Sequence, residues 1–336
     1  MITIREVAKL AGVSVSTVSR VLNNMPDVNQ QTRQQVCKVI EEHGYVPNAT
    51  ARTLKKITTN IICVIVKGTQ NLFFAQIVEM IQSEIDKTPY IPLVHYIDES
   101  ADEVACAVSL VSEKKALGVI FLGGSPSLRT KAIARLKVPC VLATMSARGL
   151  GLKNTSSVCV DDHASAEKAI DYLIERGHRE IAIMGGRRMD RDLVWNRYNG
   201  ALQSFAKHGL RFNESLYIES MFSLEDAHRA ATQVLTARPL PFTALFAMSD
   251  IMAIGATRAI FDSGRRVPED VSVVGFDGIK LAGYYNPSLT TIHQPYDLIA
   301  RRSAELIIQN IRGENIGQHV VLDTEIVVGA SVHSRF

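Results

Sequence analysis

The chain has 336 residues, 46% of them hydrophobic and 21% charged, with a formal net charge of +3. That length suits two or three domains with cores of their own, and the composition excludes a disordered, fibrous or collagen-like chain. No apolar run reaches membrane-spanning length, and the opening segment MITIREVAKLAG lacks the apolar core and cleavage site of a signal peptide. A cytoplasmic protein with no membrane partner is expected.

The charge is unevenly spread. Residues 1–60 hold eight Lys and Arg against four Asp and Glu, a net of +4 that exceeds the +3 of the whole chain. A basic head on a near-neutral body is the distribution expected of a nucleic-acid-binding protein. The five cysteines, Cys37, Cys63, Cys106, Cys140 and Cys159, are scattered and form no CxxC. They suggest buried thiols in a reducing compartment, with neither a zinc site nor a disulfide framework, and no metal or cofactor is expected.

In chain order, Thr3 can cap a first helix whose inner face is Ile4, Val7, Ala8 and Ala11, ended by Gly12 and Val13. Ser14 then caps a second helix in GVSVSTVSRVLNN. On a helical wheel Val18, Val21 and Leu22 fall on one side; Ser16, Ser19, Arg20 and Asn23 fall on the other, with Val15 at the margin. Two short helices across a Gly-containing turn form the helix-turn-helix pattern. Asn29 can cap a third helix, QQTRQQVCKVIEEHG, with Val36, Val39 and Ile40 inward and Gly44 as its stop.

A three-helix bundle with a merely solvated face is the plain alternative. Against it, no acidic residue occurs from Val7 to Pro26, and the outer face carries hydroxyls rather than Glu and Lys. Such a face suits duplex DNA. Arg20 can donate two hydrogen bonds to a guanine, Ser16 can reach a base edge or phosphate, and Val15 can pack on a thymine methyl. Ser14, Thr17 and Ser19 would anchor phosphates and set register. Next, Asn48 can cap a short helix in PNATARTLKK, where Ala49, Ala51 and Leu54 offer a small apolar surface. Alone it is too short to be stable in water, so it would gain from packing on a second copy and on DNA; a basic linker is the plain alternative.

From residue 61 onward aliphatic runs alternate with helical patterns. Strands are expected at 61–66, 91–97, 117–123, 139–143, 157–160, 181–186, 216–219, 244–248 and 271–276, with helices at 73–87, 163–176, 192–208, 224–236 and 250–263. Aliphatic strands joined by helices argue for parallel sheets covered on both faces, and a break near Asp161–His163 suggests two sheets. Ligands in such units bind beyond the carboxyl ends of strands. Candidates there are Phe73, Phe74, Ser249, Asp250 and Asp277, with Arg197 on a following helix. Polyol recognition needs planar charged groups and an aromatic wall. Arg197 and Asp277 would supply the first, Phe74, Phe222 and Tyr296 the second, and Trp195 is a further candidate.

FLGGS and IMGGRR complete neither GxGxxG nor GxxxxGK[ST], so they read as turns at strand ends. No HExxH, GxSxG or close carboxylate pair supports catalysis, and no enzyme is expected.

The segments TIREVAKLAGVSVSTVSRVLNN, GYVPNATARTL, FFAQIV, RYNGAL, SDIMAIGA, VPEDVSVVGFD and PSLTTIHQP, in that order, resemble the lactose-repressor and galactose-repressor (LacI/GalR) family of bacterial transcription regulators. The resemblance runs from the first helix almost to the C-terminus. It implies an N-terminal all-α helix-turn-helix head with a hinge helix, and an α/β periplasmic-binding-protein-like body of two doubly wound parallel-sheet subdomains. It puts Val15, Ser16 and Arg20 at base-reading positions and makes Leu54 the leucine that wedges into the minor groove, kinking the duplex. It likewise places Phe73, Phe74, Arg197, Asp277 and their companions at effector-contacting positions.

The chain departs from the pattern in three places. Asn71-Leu72-Phe73-Phe74 stands where many relatives have Asn-Pro-Phe-Phe, and Gly278 follows Asp277 where a second carboxylate is common. The run Arg187, Arg188, Asp190, Arg191 raises an acidic or phosphorylated effector, with a solvated loop as the plainer account.

The expected organisation is 1–46 for the DNA-binding domain, 47–60 for the hinge helix and linker, 61–161 with 290–320 for one effector subdomain, and 162–289 with 321–336 for the other. The expected function is that of a repressor binding a palindromic operator as a homodimer, or as a tetramer formed by two such dimers. A sugar, sugar derivative or nucleoside-like effector between the subdomains would control it. Two rivals are a regulator controlled by a protein co-regulator, as in catabolite control, and a solute-binding protein without DNA function.

Overall fold

The computed structural model of the protein describes residues 2–22, 25, 28–45, 60–68, 71–124, 130–188, 193–236 and 239–336. Asn23, Asn48, Ala51, Leu54, Asp190 and Arg191 lie outside the described residues, as does the expected hinge helix. The chain divides into two units, Met1–Thr58 and Thr59–Phe336.

Among its described residues the first unit has three helices. Helix α1 (Ile4–Leu10) begins with a capping box: Thr3 Oγ1 accepts from the Glu6 amide while the Glu6 carboxylate accepts from the Thr3 amide at 2.7 Å. Gly12, at φ +63°, turns the chain. Ser14 Oγ then accepts from the Thr17 amide at 3.1 Å and starts α2 (Val15–Leu22). Asn29 Oδ1 accepts from the Thr32 amide at 2.8 Å and starts α3 (Gln30–Glu42). Val7, Ala8 and Ala11 meet Val18, Val21, Val36 and Val39 in a single small core. Ile4 and Ile40 only flank it.

The second unit contains two six-stranded sheets. In the first, β1 (Ile61–Lys67), β2 (Ile91–Ile97), β3 (Gly118–Leu122), β4 (Cys140–Ala143), β5 (Thr155–Val160) and β11 (His319–Leu322) run in the order β11-β5-β4-β3-β1-β2, all parallel. In the second, β6 (Ile181–Gly185), β7 (Tyr217–Glu219), β8 (Ala244–Ala247), β9 (Ser272–Asp277), β10 (Thr290–His293) and β12 (Glu325–Val327) run in the order β12-β10-β9-β8-β6-β7. Only β12 is antiparallel to its neighbour.

Helices α4 (Leu72–Asp86), α5 (Glu103–Lys114) and α6 (Thr130–Ile133) belong with the first sheet; α7 (Asp162–Ile174), α8 (Leu193–Lys207), α9 (Leu224–Val234), α10 (Asp250–Asp262) and α11 (Lys280–Tyr284) belong with the second. Helix α12 (Tyr296–Ile311) follows β10 yet packs on α4 and on β3, β4 and β5. The central strands β3, β4, β5, β8 and β9 are buried on both faces, as continuous aliphatic runs require.

The chain returns to the first half only after β10, not before it. Residues 290–293, expected with the first half, pair with β9 because Thr290, Thr291 and Ile292 are all buried in the second sheet. The second return comes after β11, whose Val321 and Leu322 pair with Cys159 and Val160, rather than at 320. Cys63, Cys140 and Cys159 are buried thiols, pushed up to about 11, about 12 and about 11 by desolvation, whereas Cys37 is exposed. Among the described residues no helix is long and apolar enough to cross a membrane.

Candidate functional site

On α2, Val18 and Val21 point into the core, which turns Val15, Ser16 and Arg20 outward to solvent. Ser14 Oγ shares hydrogen bonds with Ser16 Oγ at 2.6 Å and Thr17 Oγ1 at 2.8 Å. Three hydroxyls thus gather at the helix N-terminus, the end that attracts phosphate oxygens. Ser19 and Thr17 lie at the edge of this face, half-buried.

In the second unit a cleft of about 340 Å³ lies between the carboxyl ends of the two sheets. That is where parallel α/β units bind ligands. From the first half come Lys67 at the end of β1, Glu99 beyond β2, Gly123 and Gly124 beyond β3, Thr144 beyond β4, and Asn71, Phe73 and Phe74 around the start of α4. From the second half come Gly186 and Arg187 beyond β6, Ser220, Met221 and Phe222 beyond β7, Asp277, Gln294, and Leu193, Val194 and Arg197 on α8.

Each half contributes one aromatic ring seated against a glycine. A Cβ on Gly123, which adopts φ +72°, would stand 2.6 Å from Phe74 Cε2. A Cβ on Gly186 would meet Phe222 Cε2 and Val194 Cγ2, each at 3.2 Å. Phe73 is buried beneath Phe74, with ring centroids 5.8 Å apart. Asn71 caps α4 by accepting from the Phe73 amide at 3.0 Å. Leu72 therefore takes the first helical position, where the Pro of Asn-Pro-Phe-Phe would be equally at home.

The polar centre is built from Arg197, Asp162, Asp277 and Gln294. Arg197 donates Nε–H to Asp162 Oδ1 at 2.8 Å and Nη1–H to the Met248 carbonyl at 2.5 Å, and its guanidinium carbon lies 3.6 Å from the centre of the Phe276 ring. Burial pushes the Asp162 carboxyl up from the usual range, and Arg197 pulls it back. Asp277 sits at φ +117°, and its Oδ1 accepts from Gln294 Nε2 at 2.8 Å. Burial holds Asp277 well above an ordinary Asp; Arg197 opposes this and the nearby Asp250 adds to it. Such a centre offers paired donors and acceptors in a cleft that the rings of Phe74 and Phe222 also line. No group of His, Cys, Asp and Glu suited to a metal ion occurs among the described residues.

Of the residues expected here, Phe73, Phe74, Arg197, Phe222 and Asp277 are brought together in the cleft. Four others are not. Trp195 is on the far side of α8 from Arg197, since two residues turn a helix by about 200°, and it is 36% exposed. Ser249 is spent as the N-cap of α10, accepting from the Met252 amide at 3.2 Å. Asp250 is fully buried behind the cleft and accepts from Thr291 Oγ1 at 2.6 Å and the Ile279 amide at 2.8 Å. It braces the turn that presents Asp277. Tyr296 opens α12 with its ring edge-on to His293, away from the cavity lining.

Of the arginine run, Arg187 reaches the cleft, but Arg188 does not. Arg188 donates to Glu214 at 2.8 Å and lies 4.6 and 4.5 Å from the ring centres of Tyr198 and Tyr217. Lys67, Glu99, Thr144, Ser220 and Gln294 went unnoticed in the sequence. Lys67 and Gln294 stand directly at strand ends, a signal that was available; Thr144, at φ +76°, gives no such signal.

Residues 3–48 match the family described as bacterial regulatory proteins, lacI family, and residues 170–332 match the periplasmic binding protein-like domain. The chain is 38% identical to the HTH-type transcriptional regulator MalR of Clostridium butyricum, over 96% of its own length and 97% of the relative's. Among solved structures it is similar to a complex of the transcriptional regulator CelR with cellobiose, at 29% identity and a TM-score of 0.72, covering 98% of this chain and 100% of that one. It is also similar to the lac repressor dimer bound to operator and the anti-inducer ONPF, at 26% identity and a TM-score of 0.78, with 99% of each chain covered. The chain belongs to the lacI family of bacterial regulatory proteins and is a DNA-binding transcriptional regulator.

Proposed function

We propose that the protein is a repressor that reads a near-palindromic operator as a homodimer, and that an uncharged polyol in the cleft sets its affinity for DNA. The observation that carries this reading is the cleft itself. Arg197, held by Asp162, and Asp277, held by Gln294, line it together with Phe74 and Phe222, so that hydroxyls would find paired partners and C–H faces would find rings. The similar structures of CelR with cellobiose and of lac repressor with ONPF support a sugar-like ligand.

A two-fold dimer requires two-fold half-sites, about one helical turn or a multiple of it apart. In each head Arg20, Ser16 and Val15 would read base edges, while Ser14, Thr17 and Ser19 would hold phosphates. Asn23, Asn48, Ala51 and Leu54 remain proposed DNA contacts. The ligand can act only through different affinities for the two arrangements of the sheets around the cleft.

The reading is tested by selecting operator sequences with the purified protein, then titrating the selected duplex with and without mono- and disaccharides. A palindromic consensus, and a shift of DNA affinity by at least one sugar, are expected. Sugar-independent DNA binding that responds only to a protein fraction of the cell extract would instead make a co-regulator the controlling partner. Failure to retain any duplex at low salt would leave a solute receptor.

A further inference from the structure

The chain passes between the two halves of the second unit after β5, after β10 and after β11. The first and third passages are hydrogen-bonded to each other through α7. Ser165, which is fully buried, donates its hydroxyl to the Asp161 carbonyl at 2.5 Å, and its Oγ lies 2.8 Å from Thr324 Oγ1. A serine hydroxyl has one hydrogen, so the Thr324 hydroxyl is the donor in the second bond. Lys168, three residues further along α7, donates to the Thr324 carbonyl at 2.8 Å. The Asp161 carboxylate accepts from the Ala164 amide at 3.0 Å, which fastens the first passage to the same helix turn.

Helix α7 packs on α8 and on β8, β10 and β12, so it is part of the second half, and Asp161 and Thr324 are held to that half with it. Asp162, the next residue, holds Arg197. The second passage is built differently. Gln294 is bound to Asp277 twice, amide to carbonyl at 3.1 Å and side chain to side chain at 2.8 Å, so it too belongs with the second sheet. Beyond it Pro295, at φ −73° and ψ 73°, forms an inverse γ-turn closed by the Tyr296 amide on the Gln294 carbonyl at 2.7 Å. Proline has no amide hydrogen to give, and α12 starts without a side-chain cap, so little else fixes the chain there. Arg197, Asp162, Asp277 and Gln294 thus all sit on one side of the three passages.

We propose that Ser165, Lys168 and Thr324 are a hinge clamp. They bind the first and third passages to α7, so that the sheets change their arrangement by bending between Val160 and Asp161, at Pro295, and between Leu322 and Asp323. The second half carries the polar centre of the cleft as one body through that change. Thr324 touches neither the cleft nor the head, yet loosening it alters the balance of arrangements on which operator affinity depends.

The test is amide hydrogen exchange, read by mass spectrometry on the full-length protein, with operator titration beside it. Thr324→Val should raise exchange about tenfold in the segments 158–163 and 320–326, the scale of one lost hydrogen bond, and leave β1, β3, β8 and β9 as in wild type. Thr324→Ser keeps the hydroxyl and should restore wild-type exchange, a rescue that a mere packing role would not give. Lys168→Met should do less, because that side chain is exposed. On the duplex selected with wild type, Thr324→Val should change operator affinity by about threefold or more. Wild-type exchange at the passages in Thr324→Val, an equal rise across both sheets, or loosened passages with wild-type operator affinity would overturn the clamp. A wild-type protein that retains no duplex would overturn the repressor reading instead, and the exchange pattern would then decide the clamp by itself.

Discussion

Arg197 and Asp162 meet at 2.8 Å with side-chain exposures of 7% and 11%, tying the second turn of α8 to the first residue of α7. Removing one partner of such a pair strands the other charge, at a cost of about 3–5 kcal/mol. Arg197→Ala should therefore lower stability by that order and abolish the effect of any ligand on operator binding. Arg197→Met with Asp162→Asn should recover most of the stability but not the ligand response. Chemical denaturation and operator titration separate the two effects. A double variant that still responds to ligand would remove Arg197 from the binding site.

Arg20 is exposed on α2, five residues beyond the Val15 that opens the helix. Arg20→Ala should relax base preference at one position in each half-site and cost about 1–3 kcal/mol of discrimination there. Ser16→Ala should weaken binding less. Anisotropy titrations against single-base operator variants test this, and an unchanged ranking of all variants would exclude Arg20 as a base reader.

Much of this was legible in the sequence because the signals are local. Thr3, Ser14 and Asn29 each cap the helix that their position announces, and the aliphatic runs from Ile61 and Ser272 are strands. What escaped depends on distant packing. Asp250 looks from sequence like a cleft residue, since it follows a strand, but whether it faces the ligand or the turn behind Asp277 is decided by Thr291, 41 residues away. Trp195 is marked by its rarity, a property that says nothing about which face of α8 it occupies. Lys67 reads as an ordinary solvated strand end until Glu103 and Gly124 are placed beside it.

Burial pushes Asp250 up to about 7. The folded protein therefore keeps a proton that the unfolded chain releases near the ordinary Asp value, about 3 pH units lower. Folded protein binds more protons across that window, so its contribution to stability is greatest at the acid end and declines as pH rises toward 7. Asp277, also held high by burial, acts in the same direction. Buried His178, whose pKa desolvation lowers, acts in the opposite direction over the same window, so the effect is read as a difference: Asp250→Asn should gain stability relative to wild type as pH rises from 5 to 7. Parallel slopes for the two proteins would mean that Asp250 is ionised in the fold throughout.

Gly200 marks the closest approach of α8 to α7. A Cβ there would stand 2.0 Å from the His163 carbonyl oxygen and 2.7 Å from its carbonyl carbon, both backbone atoms that no rotamer change can move. Gly200→Ala must push the helices apart, although alanine is the better helix former. His163 adjoins Asp162, and Gly200 lies three residues beyond Arg197, so the displacement falls on the ion pair of the cleft. The variant should lose about 1–3 kcal/mol from overpacking, and should bind ligand more weakly than its stability alone explains. Asn196→Ala, on the exposed side of the same helix, controls for helix propensity and should be neutral or slightly stabilising. Wild-type ligand affinity in folded Gly200→Ala would show that the cleft does not depend on how closely these two helices approach.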